Sequence, residues 1–421
     1  MAVGTANLVV ATIAIGLVSY AVIYVGSRTF DATQLAVFLS LWALVNTLAL
    51  SLANPLETIA PQVLTHESTE PHTHRLLPHP LVSHAILFGL AAGVGTVVVS
   101  AAVAGEETLG LRAGVVAFAL SIGLWSGQRA MWYGSGDFSR ARNGSLLNAT
   151  VSLLLLAVVL IVSPGAVVWL FFAVAAGNVI GGTLWPRGPV RFDSDHLFFL
   201  PTGLYRVLWV LIGATAVTLV LQTGSLALAN AWGIESVQVV GYAALLSLVR
   251  VPMMLLNNVM GPLNLRIVRL ATTGEVRSVR RLFVQGTGLI CVAIPVFAGI
   301  TAILGPLAVN ILVGSQYEVS PLFAAAVMVT ECVVWLGMLP RFVLAALRAN
   351  RVMVYCWSAG LVAFTISALV LPTTEWKLVL VPLVAALVIL GGAIPMSFVV
   401  LGRADDNLVE AQLSHGELND S

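Results

Sequence analysis

Arg250 and Glu331 are charged residues set deep inside otherwise apolar runs, the first in LLSLVRVPMM and the second in VMVTECVVWL. Placing an ionised side chain in a lipid-facing or buried segment costs several kcal/mol, so such groups usually face a bundle interior or a wet cavity. Two roles fit. The pair can hold a bundle together as a buried ion pair, or it can bind a head group or a coupling cation from a cavity. Arg129, Arg206 and Arg341 lie toward one end of their apolar runs. They either snorkel to lipid headgroups or form a basic vestibule, because guanidinium forks match phosphate oxygens bidentately. Asn46, Asn54, Gln128, Asn178, Asn257 and Asn258 add polarity within apolar runs. Hydrogen bonds between helices account for most such groups, and a sugar-facing cavity needs a few of them, Asn46 first. Pro252, two residues past Arg250, removes a backbone donor and frees the Leu248 carbonyl, marking a passive kink or a hinge.

The elements that position these residues are legible from hydropathy. Of 421 residues, 59% are hydrophobic and 9% charged, with mean hydropathy +0.98. A soluble domain carries about a quarter of its residues charged. A bilayer-spanning helix needs about 20 mostly apolar residues. Twelve such spans are predicted, at 7–27, 33–54, 81–104, 114–134, 145–163, 166–186, 203–222, 237–260, 283–312, 320–346, 352–371 and 378–401. The seventh can run on into the apolar stretch 223–232, and the over-long ninth is read as tilted or ending in a re-entrant turn. The fold class is therefore an all-helical polytopic membrane protein. A barrel would show short alternating segments instead.

Arginine sets the expected orientation. Loops after even-numbered spans and the tail hold Arg75, Arg140, Arg142, Arg187, Arg191, Arg266, Arg269, Arg277, Arg280, Arg281, Arg348, Arg351 and Arg403. Odd-numbered loops hold Arg28, Arg112 and Lys377. The positive-inside rule then puts both termini in the cytoplasm of a cell membrane. The first span has no basic flank or cleavage site and reads as a retained helix. In this frame Arg250 and Glu331 each sit about 11–12 residues in from the outer ends of spans eight and ten, about 16–18 Å deep. They share a depth and, by position, a lobe.

The polar segment 187–202 divides the chain into 1–186 and 203–402, six spans each, followed by an acidic, mobile cytoplasmic tail at 403–421. The halves echo each other weakly, as a parallel repeat would: Asn54-Pro55-Leu56 with Gly261-Pro262-Leu263, and Arg129 with Arg341. Outer loops are short, with 105–113 and 223–236 the longest, which counts against a membrane-embedded glycan enzyme. No nucleophile motif, phosphate loop or nucleotide signature is present, so neither an enzyme, direct ATP use, nor a nucleic-acid partner is expected. Cys291, Cys332 and Cys356 lie in apolar spans without metal spacing. His66, His72, His74, His79 and His84 form a solvated, proline-rich stretch, and neither metal nor cofactor is expected. The arginine-rich link 264–281 reads as a surface helix on anionic lipid.

Several words in spans seven to eleven resemble the polysaccharide exporters and O-antigen flippases of the multidrug/oligosaccharidyl-lipid/polysaccharide exporter superfamily. They are Val240-Gly241-Tyr242-Ala243-Ala244, Arg250-Val251-Pro252, Gly261-Pro262-Leu263 and Ile311-Leu312-Val313-Gly314-Ser315-Gln316-Tyr317. Gly136-Asp137-Phe138 is similar in the first half. A departure is Thr223-Gly224-Ser225, where many members carry a charge. The resemblance implies two six-helix lobes around a central cavity that opens alternately to each side. The implied substrate is a polyprenyl-pyrophosphate-linked saccharide, flipped for cell-surface polysaccharide or glycolipid assembly. The implied partners are membrane lipids, a coupling proton or sodium ion, and glycan assembly enzymes. An ion-coupled exporter of small amphipathic compounds and a non-transporting scaffold for glycan assembly enzymes stay open. Arginine dominance over the single lysine, with Ala/Val/Leu richness, points to a high-GC bacterium.

Overall fold

In a bilayer a backbone must satisfy its own hydrogen bonds, and Leu/Val/Ala-rich runs do so as helices. The computed structural model describes residues 2–67, 80–103, 109–134, 137–162, 167–183 and 202–419. Among them every regular element is helical and there is no strand. The first half comprises α1 (Ala2–Thr29), α2 (Ala32–Glu67), α3 (Pro80–Val103), α4 (Leu109–Gly134), α5 (Phe138–Val162) and α6 (Val168–Thr183). The second comprises α7 (Thr202–Leu219), a π-turn (Val220–Gly224), α8 (Ser225–Leu228), α9 (Ser236–Thr272) and α10 (Val276–Val313). It continues with α11 (Pro321–Leu336), α12 (Met338–Ala346), α13 (Asn350–Val370) and α14 (Lys377–Asn419).

Eight stretches are long and apolar enough to cross a membrane, and four shorter apolar ones (Ile13–Thr29, Val82–Val98, Val168–Thr183, Ser236–Arg250) complete the set. Taken in order, with α7–α8 and α11–α12 each counted as one span, they are the twelve expected. Exposed apolar side chains mark the lipid face. On α10 these include Leu289, Val292, Val296, Ile300, Ile303, Leu307 and Ile311. A soluble surface does not carry a stripe of this length.

Two groups of six spans pack internally and meet along a seam. In the first, α1 lies on α5, α2 and α3 lie on α4, and α6 lies on α4 and α5. In the second, α10 lies on α9 and α11, and α13 and α11 lie on α14. The seam joins α1 to α9 and α2 to α7 and α9. Small residues set the closest approaches within the first group. Gly89 of α3 faces Gly123 of α4, while Gly93 of α3 faces Val116 and Ala119, and Gly127 of α4 faces Val82 and Ala85, so a Gly-x3-Gly repeat on each helix lies in the contact. A Cβ on Gly89 would lie 2.6 Å from the Ala119 carbonyl oxygen and 3.2 Å from Gly123 Cα. Such residues let backbones touch where lipid supplies no hydrophobic drive. Beside them runs a closed polar chain. Asn148 donates to Asn178 (2.8 Å), Asn178 to Ser121 (3.0 Å), and Ser152 to Asn148 (3.2 Å), tying α4, α5 and α6 together.

Several expectations are revised. The arginine-rich link 264–281 is not a surface-lying helix. Arg266 and Arg269 end α9, Arg277, Arg280 and Arg281 begin α10, and the two meet at a turn where Gly274 has φ 77°. The over-long ninth span has no re-entrant turn: α10 is one helix of 38 residues with Pro295 and Pro306 inside it. The tail from Arg403 continues α14 as helix to Asn419, and Asp405 pairs with Arg277 at 3.5 Å. The tenth span breaks at Gly337 into α11 and α12. Cys332 and Cys356 are free and buried, as small core residues, while Cys291 is exposed.

Three of the short words that carried the resemblance, those around Gly241-Tyr242, Gly314–Tyr317 and Asp137, are packing or capping devices. Gly314 has φ 108°, a backbone that only glycine adopts without strain. It turns the chain so that Tyr317 buries its ring, and a Cβ on Gly241 would press within 3.4 Å of the Tyr317 carbonyl oxygen. Tyr242 donates to the Leu378 carbonyl (3.3 Å), binding α9 to α14. Asp137 caps α5, accepting from the Arg140 amide (3.3 Å) and pairing with the Arg140 guanidinium (2.9 Å).

Candidate functional site

Arg250 comes from α9 and Glu331 from α11, both in the second group of helices, as their shared depth implied. They do not form an ion pair within 4.0 Å. Arg250 is half-buried and its Nη2 donates to the Gln222 backbone carbonyl at 2.8 Å. That carbonyl lies in the π-turn Val220–Gly224, where one extra residue per turn loosens the regular ladder. Glu331 is 2% exposed, and its Oε2 is buried with no hydrogen-bond partner. A bare carboxylate oxygen in an apolar interior is costly, and a structure that retains one has a use for it or a ligand to meet it.

The remaining predicted residues are distributed, not clustered. Arg341 does not snorkel. It is 5% exposed on α12, donates from Nη1 to Thr215 Oγ1 of α7 at 3.0 Å, lies over the Phe342 ring at 5.6 Å, and leaves Nε buried without a partner. Its angular position follows from the break at Gly337, which depth along the sequence does not reveal. Arg129 on α4 reaches Glu57 of α2 at 3.4 Å, so that guanidinium already faces a carboxylate. Arg206 is exposed near the start of α7. The Asn46 amide donates to the Trp42 carbonyl one turn back at 2.7 Å and is half-buried. Pro252, Asn257 and Asn258 fall where side-chain surroundings lie outside the described residues, and so do His66, His72, His74 and His79. His84 is buried on α3, its ring edge-on to Phe88. Among the described residues no group of three or more His, Cys, Asp or Glu side chains can hold a metal ion.

The seam beside Arg250 is polar, and sequence reasoning missed it. Thr47 of α2 and Thr223 of the π-turn hydrogen-bond to each other across the two groups. Ser40 of α2 donates to the Leu226 carbonyl (3.1 Å) and accepts from Asn230 (3.1 Å). The Tyr20 hydroxyl of α1 reaches the Ser247 and Leu248 carbonyls at 3.3 and 3.4 Å, within one turn of Arg250. The bonds are spread in depth, from Ser40, eight residues into α2 from the α1–α2 turn, to Thr47, near the middle of the span. The signal that would have found them is the polar triplet Thr223-Gly224-Ser225 inside an apolar run. A second cluster caps the end where α1 turns into α2: Lys377 lies over the Trp232 ring at 5.1 Å, and Trp376 packs on Phe323.

No family model matches the sequence, and no curated relative matches it. Solved structures do. The fold is similar to the outward-facing conformation of a multidrug resistance MATE family transporter of the MOP superfamily. The TM-score is 0.67 and the identity 11%, covering 96% of this chain and 95% of that one. A MOP superfamily transporter from Pyrococcus furiosus, described as having a binding pocket of reverse polarity that suggests a different function, matches with TM-score 0.66 and 12% identity over 96% and 94% of the two chains. A single-site variant of the Vibrio cholerae MATE transporter VcmN matches with TM-score 0.66 and 13% identity over 95% of each. The chain thus has the twelve-helix fold of MOP superfamily transporters and is a multi-pass membrane protein.

Proposed function

We propose that this protein is a membrane exporter that works by alternating access, and that it flips a polyprenyl-pyrophosphate-linked saccharide across the cytoplasmic membrane for cell-surface polysaccharide or glycolipid assembly. The fold supports the exporter part. The observation that carries the substrate part is Arg250: a half-buried guanidinium at the seam between the two helix groups, bonded to one backbone carbonyl and, among the described residues, to no carboxylate within 4.0 Å. A cation held this way is ready to exchange a single neutral acceptor for the paired oxygens of a phosphate. The two six-span groups, 1–186 and 203–402, would rock about the seam, with both termini cytoplasmic and Pro252 as the hinge of α9. Arg206 and Asn46 would line the approach, and Arg129 and Arg341 would join it only in a conformation that frees them from Glu57 and Thr215. The Pyrococcus transporter of similar fold is described as having a binding pocket of reverse polarity, so pocket polarity varies within this fold.

Glu331 favours a second reading. A buried carboxylate with an unpartnered oxygen suits a coupling proton or sodium ion, or a cationic compound carried by an ion-coupled exporter. Equilibrium binding to the purified protein separates the two. Undecaprenyl pyrophosphate is expected to bind, with affinity reduced about 10- to 100-fold in Arg250→Ala, the worth of a hydrogen bond to a charged group. Binding of a cationic dye instead, lost in Glu331→Gln and retained in Arg250→Ala, would transfer the assignment to the drug-exporter reading. Binding of neither would favour a scaffold for glycan assembly enzymes.

A further inference from the structure

We propose that the π-turn Val220–Gly224 couples the Arg250 site to the contact between the two helix groups, with Thr223 and Thr47 as the positioning residues that read it; the trigger rests on the anion reading of Arg250 given above. Consecutive residues of the turn carry the two halves of the device. Gln222 gives its carbonyl to Arg250 Nη2 (2.8 Å), and Thr223 gives its hydroxyl to Thr47 of the opposite group. Both threonines are buried, at 4% and 5% exposure, so water does not substitute for either partner.

The proton count makes this contact sensitive. Thr47 is placed to donate to the Ala43 carbonyl at 2.7 Å, and Thr223 to the Leu219 carbonyl at 2.7 Å. Each hydroxyl has one proton, so the two threonines hold two protons for three bonds. The bond across the seam forms only while one hydroxyl lets go of its own helix. That choice depends on the local register of α7, and the π-turn sets the register. Arg250 pins the turn from one side. Tyr20, reaching the Ser247 and Leu248 carbonyls, grips the stretch of α9 that carries Arg250 from the other.

A phosphate-bearing anion offers the guanidinium two charged oxygens in place of one neutral carbonyl. When Arg250 moves to it, Gln222 loses its partner and the extra residue of the π-turn is free to shift along α7. Thr223 then returns its proton to Leu219 and the bond to Thr47 is lost, which leaves the α1–α2 end held only by Ser40, whose bonds to Leu226 and Asn230 yield as that end parts. Occupancy of the site is thereby converted into opening of one face.

The test measures distances between spin labels at Thr33→Cys and Glu235→Cys, both exposed at that end, in full-length protein in lipid nanodiscs with Cys291→Ser. Thr223→Val, which keeps the shape and removes the hydroxyl, is expected to raise the long-distance population about fivefold without any anion, the weight of one net hydrogen bond. Thr223→Ser is expected to keep the wild-type distribution. Inorganic pyrophosphate should lengthen the distance in wild type and leave Arg250→Gln unchanged. An unchanged distribution in Thr223→Val overturns the proposal, as does an equal response of Arg250→Gln to pyrophosphate. If calorimetry shows that pyrophosphate binds wild type yet distances do not move, the coupling falls and the anion reading stands. If pyrophosphate does not bind wild type, the anion trigger falls together with that reading, and the Thr223 arm decides the latch alone.

Discussion

Replacing Glu331 with leucine is expected to raise the unfolding temperature of the protein and, under the proposed function, to abolish transport. The sign follows from the missing partner. Removing one member of a buried ion pair typically costs 3–5 kcal/mol, about the loss that a Glu331–Arg250 pair would show. Here Glu331 is 2% exposed, its Oε2 meets no donor, and Arg250 is bonded to Gln222. Leucine has a similar volume and no group to desolvate, so the change removes a penalty of about 1–3 kcal/mol. Thermal unfolding in detergent micelles reads stability, and a leaflet-transfer assay reads function. A rise in the midpoint with transfer lost identifies a group retained for use. A fall of several degrees would show that Glu331 has a structural partner and would remove it from the site.

The second large effect is steric. Gly89→Val is expected to destabilise the first helix group by about 3 kcal/mol or more, toward the upper end of overpacking costs. Every near neighbour of the added Cβ is backbone: the Ala119 carbonyl oxygen at 2.6 Å, Leu120 Cα at 3.1 Å and Gly123 Cα at 3.2 Å. No side-chain rotation relieves that, so α3 and α4 must separate around the Gly89–Gly123 contact. Gly213→Ala is the control. Nothing lies within 4 Å of its added Cβ, and as a mid-helix glycine it should gain about 0.5–1 kcal/mol. Opposite shifts in the unfolding midpoint bear out the close contact, and a neutral Gly89→Val contradicts it.

The sequence made some of this legible for physical reasons. Apolar runs of span length can only be helices in a bilayer, so the twelve-span layout was readable throughout. The helix group was readable too: Arg250 and Glu331 fall on α9 and α11, both in the second group, although Arg250 bonds to Gln222 and not to Glu331. What depth cannot supply is the direction a side chain faces around its helix. Arg341 and Arg129 looked alike at the ends of spans ten and four. One is buried against Thr215 of α7, and the other faces Glu57, 72 residues away in the chain. Polar ends of helices misled as well. The arginines of 264–281 looked like a surface helix because their charge hid the continuation of α9 and α10 beyond the bilayer. At 37 and 38 residues these helices exceed what a hydrocarbon core of about 30 Å requires. The π-turn depends on a single extra residue in an apolar run, with no compositional mark except Thr223-Gly224-Ser225. The Gly-x3-Gly repeats at Gly89 and Gly123 were in plain text and needed only the search for small residues four apart.

The central claim is that this fold moves an anionic lipid-linked saccharide through a path containing Arg250. Full-length protein reconstituted in liposomes, with fluorescent polyprenyl-pyrophosphate saccharide loaded in one leaflet, tests it most directly. Ion gradients of both signs are imposed in parallel, and appearance of the lipid in the other leaflet is followed over time. Transfer by wild type that falls at least about tenfold in Arg250→Ala, with the variant folded by its unfolding midpoint, is the predicted result. No transfer by wild type under either gradient, or undiminished transfer by Arg250→Ala, would contradict it.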